Sequence, residues 1–90
     1  MTIFVLERVP TSLRGELSRW LLELHTGVFV GRPSALVRDK LWDLICEKQH
    51  AGAALAIWSA DNEQGFSMRA SGKTARQLRD FEGLTLVQRP

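Results

Sequence analysis

Two stretches of this chain repeat apolar residues at helical spacing, and each follows a short β-rich apolar run. Ile3-Phe4-Val5-Leu6 reads as a buried strand that ends at Glu7-Arg8. Pro10 then forces Val9 out of helical geometry and cannot sit in a central strand. Thr11 and Ser12 are N-cap candidates for a helix over about residues 12–25. Its apolar stripe is Leu13, Leu17, Trp20, Leu21 and Leu24, and Gly27 stops it. Val28-Phe29-Val30 is a second short strand, ended by Gly31 and Pro33. Ser34 caps a second helix over about residues 34–49, whose inward stripe is Val37, Leu41, Leu44 and Ile45 and which Gly52 closes. Ala53 to Trp58 is almost wholly apolar, as a central strand covered on one or both faces is. Asp61 to Gly65 is a polar turn, and Phe66-Ser67-Met68-Arg69 alternates like a hairpin partner with one wet face. Residues 71–80 form a polar connection to a last strand, Leu84 to Val87.

The order strand, helix, strand, helix, then three strands predicts an α+β domain of ferredoxin-like (βαββαβ) type. It has an antiparallel sheet, two helices on one face and an extra C-terminal strand. One of the four usual strands is expected to be brief or merged, because the 28–33 segment is short for a hairpin. Residues 1–90 form one domain. The segment from about 71 to 90, a polar loop and a strand, is expected to dock on a partner subunit by edge addition. A chain of 90 residues has a thin core, which dimerisation would thicken.

Composition narrows the function classes. The apolar fraction is 44%, too high for a disordered chain, and no run approaches a membrane span. The first residues show neither a charged n-region nor a cleavage signal, so no secretory leader is expected. The single Cys46 rules out an internal disulfide and suits a reducing cytoplasm. It sits beside the stripe of the second helix and reads as a small packing residue. The net charge of +2 is too mild to announce nucleic-acid binding. Nine of the twelve basic residues are Arg, however, whose planar fork suits phosphate. The tail is locally basic, with Arg69, Lys73, Arg76, Arg79 and Arg89 against Asp80 and Glu82.

Few residues could carry chemistry. His25 and His50 each fall near a helix C-terminus, where a cation suits the dipole. Trp20 and Trp42 belong to helical apolar faces and read as core. Glu7 ends the first strand beside Arg8, as a solvated ion pair or as a metal-ligating carboxylate. One carboxylate makes a poor magnesium site, but a two-fold dimer could bring two together. Arg14 and Ser12 lie at a helix start, where backbone N–H groups and a guanidinium suit a phosphate.

Pro10-x-x-Leu13-Arg14-Gly15-x-Leu17-x-x-Trp20-Leu21-Leu22-Glu23 makes a resemblance specific, extended by Gly27 to Gly31, Ser34-Ala35, Val37-Arg38 and Leu41-Trp42. Trp58, Asn62-Glu63, Gly65-Phe66, Gly72 and Gly83-Leu84 fit as well. The chain resembles the CRISPR-associated protein "two" family in its subtype I-E branch, over essentially its whole length. The resemblance implies a ferredoxin-like homodimer in the cytoplasm that takes part in adaptation. It further implies a dimer that bridges dimers of the CRISPR-associated integrase (protein "one") and holds a double-stranded DNA prespacer by its backbone. Arg14 and Arg76 match backbone-binding positions. Ser12 and Ala75 stand where basic residues are usual, and Lys73 and Arg79 lie near enough to compensate. Arg8 could add a phosphate contact. The resemblance also implies an alternative, a magnesium-dependent endoribonuclease or DNase whose metal and catalytic residue is Glu7, paired across the dimer. That reading rests on an Asp at the end of the first strand, where this chain has Glu7.

Overall fold

The computed structural model describes residues 1–49 and 52–72. The elements are β1 (Thr2–Leu6), α1 (Thr11–Ser18), β2 (Leu22–His25), β3 (Val28–Gly31), α2 (Ala35–Lys48), β4 (Ala54–Ser59) and β5 (Phe66–Ser71). All five strands form one antiparallel sheet in the order β2-β3-β1-β4-β5. The first four strands and two helices have the ferredoxin-like arrangement. β5 is the extra strand, added by a hairpin to the β4 edge. The expected strand at 84–87 lies outside the described residues. No helix among them is long and apolar enough to cross a membrane.

The two faces of the sheet differ sharply. In antiparallel strands, directly paired residues share a face. One row, Glu23–Phe29–Phe4–Ala56–Arg69, runs across all five strands on the helix side. Phe4, Phe29 and Ala56 in its centre are buried beneath Leu13 and Leu17 of α1 and Leu41, Trp42 and Ile45 of α2. The Phe4 and Trp42 rings stack with centroids 6.3 Å apart and planes 17° from parallel. The adjacent row, Leu22–Val30–Ile3–Ile57–Met68, faces away from the helices and carries no polar group.

The first helix is shorter than the stripe suggests. It ends at Ser18, and Arg19, Trp20 and Leu21 turn back through N–H bonds to Glu16 and Leu17 carbonyls. Residues 22–25, expected at the helix end, are instead the missing strand β2. Pairing with β3 satisfies their backbone at the sheet edge, and Leu22 then falls on the apolar face rather than the helical stripe. Leu13, Leu17 and Leu21 are buried as expected, but Trp20 is 53% exposed and Leu24 62% exposed. Trp20 is therefore not core, whereas Trp42 is. Gly27 does not stop a helix. It turns the β2–β3 hairpin at φ +80°, where a Cβ would meet the Leu6 carbonyl oxygen.

Pro10, not Thr11 or Ser12, is the N-cap of α1, and no side chain caps it. The fixed proline backbone delivers the chain straight into the helix, leaving both hydroxyl residues inside the first turn. The second helix follows expectation: Ser34 accepts from the Val37 N–H at 3.2 Å, and Val37 and Leu44 pack beside buried Leu41 and Ile45. The 61–65 turn is closed by Asn62, whose Oδ1 accepts from the Gly65 N–H at 2.8 Å. On α2, Arg38 lies over the Trp58 ring at 4.3 Å from its centroid, and Arg69 of β5 approaches the same ring at 5.6 Å. Asp39 accepts from Arg38 and pairs with Arg69 at 3.8 Å, which ties the β5 edge to the helix layer.

Phe4 is fully buried at the crossing of both layers. Phe4→Ala is expected to cost about 3–5 kcal/mol, a large part of a small domain's stability. Urea unfolding followed by circular dichroism measures this, and a loss below ~1 kcal/mol would contradict the packing described.

Candidate nucleic-acid interface

The sequence candidates cluster where β1 hands over to α1. Glu7 follows the last residue of β1, and its backbone N–H donates to the Ala53 carbonyl at 2.9 Å. The preceding Leu6 N–H donates to the Gly27 carbonyl at 2.8 Å. The chain is thus pinned on both sides as it leaves the sheet, and the Glu7 and Arg8 side chains project into solvent. No ion pair within 4.0 Å joins Glu7 to Arg8 or to any other described residue. The Arg8 carbonyl accepts from buried Gln49 at the end of α2, which fixes the backbone at this position.

Ser12 and Arg14 do not share a helix face. Two residues along an α-helix turn the side chain by about 200°, so the pair diverges. Ser12 turns toward α2, where its Oγ accepts from Lys48 Nζ at 3.4 Å. Pro10, Ser12, Glu47 and Lys48 line a shallow groove there. Arg14 turns toward β2, where its Nε donates to Glu23 Oε1 at 3.1 Å and Oε2 at 3.3 Å. Glu23 Oε2 also accepts from the Gly27 N–H at 3.1 Å. The Arg14 backbone N–H is bonded to the Pro10 carbonyl, so it is not free to join its own guanidinium at a phosphate.

Two partners were invisible to sequence reasoning. A helix over 12–25 places Glu23 nine residues and two and a half turns from Arg14, on the opposite face. Only the break between α1 and β2 folds them together. Lys48 carried one signal: it is the basic residue in the last turn of α2, where the dipole favours a cation.

The remaining candidates fall elsewhere. His25 is exposed at the end of β2, not at a helix C-terminus, because the helix stops seven residues earlier. His50, Lys73, Arg76 and Arg79 lie outside the described residues. Among the described residues no three His, Cys, Asp or Glu side chains gather where a metal could sit. Glu7 alone does not fit a magnesium shell, which asks for several oxygen ligands in near-octahedral geometry.

Cys46 is not a packing residue. It is exposed on α2, one position past buried Ile45. Its thiol pKa is raised, first by partial desolvation and then by the charge of Asp43, while a hydrogen bond to Ser71 and the charge of Arg69 oppose the shift. A thiol with a raised pKa holds less thiolate at neutral pH. Alkylation of Cys46 in the folded protein is therefore expected to accelerate at higher pH than in the urea-unfolded chain. Coincident pH profiles would contradict this.

The match to known proteins covers almost the whole chain. A family model described as CRISPR-associated protein (Cas_Cas2CT1978) matches residues 1–86, and the chain belongs to that family.

Proposed function

We propose that this protein is a homodimeric scaffold of CRISPR adaptation, of the subtype I-E branch, acting in the cytoplasm. Two copies pair through the open faces of their sheets. The dimer bridges dimers of the CRISPR-associated integrase and holds a duplex DNA prespacer by its phosphates. Arg14, Arg8 and Ser12 at the start of α1 and Lys73 and Arg76 of the tail are the contacts. The segment from about 71 to 90 docks on the partner subunit.

The observation that carries this reading is the uncharged sheet face. Leu22, Val30, Ile3, Ile57 and Met68 form one unbroken apolar row across five strands. Val28, Val5, Leu55 and Ala70 form a second beside it, which ends at His25 on the β2 edge. Val5, at the centre, is 38% exposed, and Leu22 at the edge is 64% exposed. Contiguous apolar surface of this kind marks an interface. Apart from His25 at the β2 edge, the face offers nothing to an acidic or basic partner, and an identical copy is its natural complement under a two-fold axis. Such pairing leaves both helical layers, with Arg14 and Ser12, on the outside where a duplex can lie along them.

In this reading the phosphate contacts are electrostatic and indifferent to base sequence. Glu7 takes no part in strand transfer, which belongs to the integrase. A magnesium nuclease would need two Glu7 carboxylates brought together, because one chain supplies a single ligand at this position.

Val5→Glu places a charge at the centre of the face while remaining tolerable in a monomer. Light scattering is expected to give a dimer for the parent chain and a monomer for the variant, with unchanged circular dichroism. A dimer in both, or a monomeric parent, would count against the sheet face as the interface. In a reconstituted integration assay with the matching integrase, Glu7→Ala is expected to integrate prespacer at the parent rate. Loss of integration with the dimer intact would move the chemistry onto Glu7.

A further inference from the structure

The Arg14 guanidinium is held by one edge. Its Nε–H is shared between the two oxygens of Glu23, at 3.1 and 3.3 Å, and no hydrogen bond among the described residues engages its terminal nitrogens. A carboxylate that neutralised Arg14 most strongly would take the fork, through two parallel N–H···O bonds. Glu23 leaves the fork open. Glu23 is itself fixed. It ends the helix-side row of the sheet, paired with buried Phe29, and its Oε2 accepts from the Gly27 N–H at 3.1 Å. Gly27 in turn is locked against the end of β1, where its carbonyl accepts from Leu6 and its α-carbon faces the Leu6 carbonyl. The Glu23 side chain is only 22% exposed, against 41% for Arg14. A rigid hairpin thus holds a carboxylate, and the carboxylate sets the plane of a half-exposed guanidinium.

We propose that Glu23 is a positioning residue for nucleic-acid binding: it orients Arg14 so that the two terminal amines meet a DNA phosphate without further ordering. The inference rests on Arg14 being a phosphate contact, as proposed above. A long Arg side chain loses rotamer freedom when it docks, and ordering it beforehand removes part of that cost from binding. Glu23 also carries a negative charge near the incoming phosphate. Positioning and repulsion therefore have opposite signs, and the sign of the effect decides between them.

The test measures binding of the full chain to a duplex DNA of random sequence across a salt series. The variants are Glu23→Gln, Glu23→Asp, Arg14→Ala and the double variant Glu23→Gln/Arg14→Ala. Positioning predicts that Glu23→Gln weakens binding roughly 2- to 10-fold. It also predicts that the log–log salt slope flattens by up to about 0.9 when Arg14 no longer neutralises its phosphate. In the Arg14→Ala background the same substitution no longer weakens binding. Glu23→Asp keeps the charge but is too short to hold both Arg14 Nε and the Gly27 N–H, so it weakens binding as well. It decides the matter if the Gln variant does not fold. Tighter binding by Glu23→Gln overturns the inference. So does an equal effect with and without Arg14, or a lowered melting temperature with an unchanged slope. If Arg14→Ala itself leaves the slope unchanged, the phosphate contact fails first and the positioning role falls with it.

Discussion

Phe4 sits where every layer of this molecule meets. Its ring is fully buried, stacks on Trp42 of α2, and pairs across the sheet with Phe29 on one side and Ala56 on the other. A one-residue slip of β1 would carry this side chain to the opposite face and bring Ile3 or Val5 beneath the helices. Burial of Phe4 therefore fixes the register of the three central strands, and with it the face on which every other side chain emerges. The ends of its row are polar for a reason. Glu23 and Arg69 reach the two sheet edges, where each takes an oppositely charged partner from a helix, Arg14 of α1 and Asp39 of α2. Exposed pairs like these contribute about 0–1 kcal/mol each, so their value is geometric: they set how each helix lies over its edge of the sheet.

That register leaves the other face bare of charge. A domain of this size buries a modest share of its surface, and two rows of apolar side chains on the sheet have no layer of the same chain over them among the described residues. The same constraint that makes the core thus leaves an apolar face open on the side away from the helices. The buried core and the open apolar face are two consequences of one alternation along β1.

Much of this was legible in the sequence, and the failures have physical causes. The strands around Phe4, Phe29 and Ala56 are short apolar runs bounded by turn residues, and α2 has both a cap at Ser34 and a stripe that closes on the core. The stretch after Leu17 misled because Trp20, Leu21 and Leu24 fit a helical period and Leu22, Glu23, Leu24 and His25 equally fit an alternating one. Backbone pairing with β3 decided in favour of the strand, an interaction between segments that local pattern does not report. That single error hid the contact between Arg14 and Glu23 and misplaced Trp20 and His25. The exposure of Cys46 was missed by one position, since a helix turns 100° per residue and the edge of a stripe is where it becomes surface. The family was readable from the ordered set of small motifs, and the family match over residues 1–86 agrees with it.

In the proposed dimer a second copy of the chain covers the apolar sheet face. Sedimentation equilibrium of the unmodified protein over a wide concentration range tests it most directly. The expected result is a species of twice the chain mass that persists on dilution and at high salt, because the contact is apolar. A monomer at all concentrations, or a dimer that dissociates as salt rises, would contradict it.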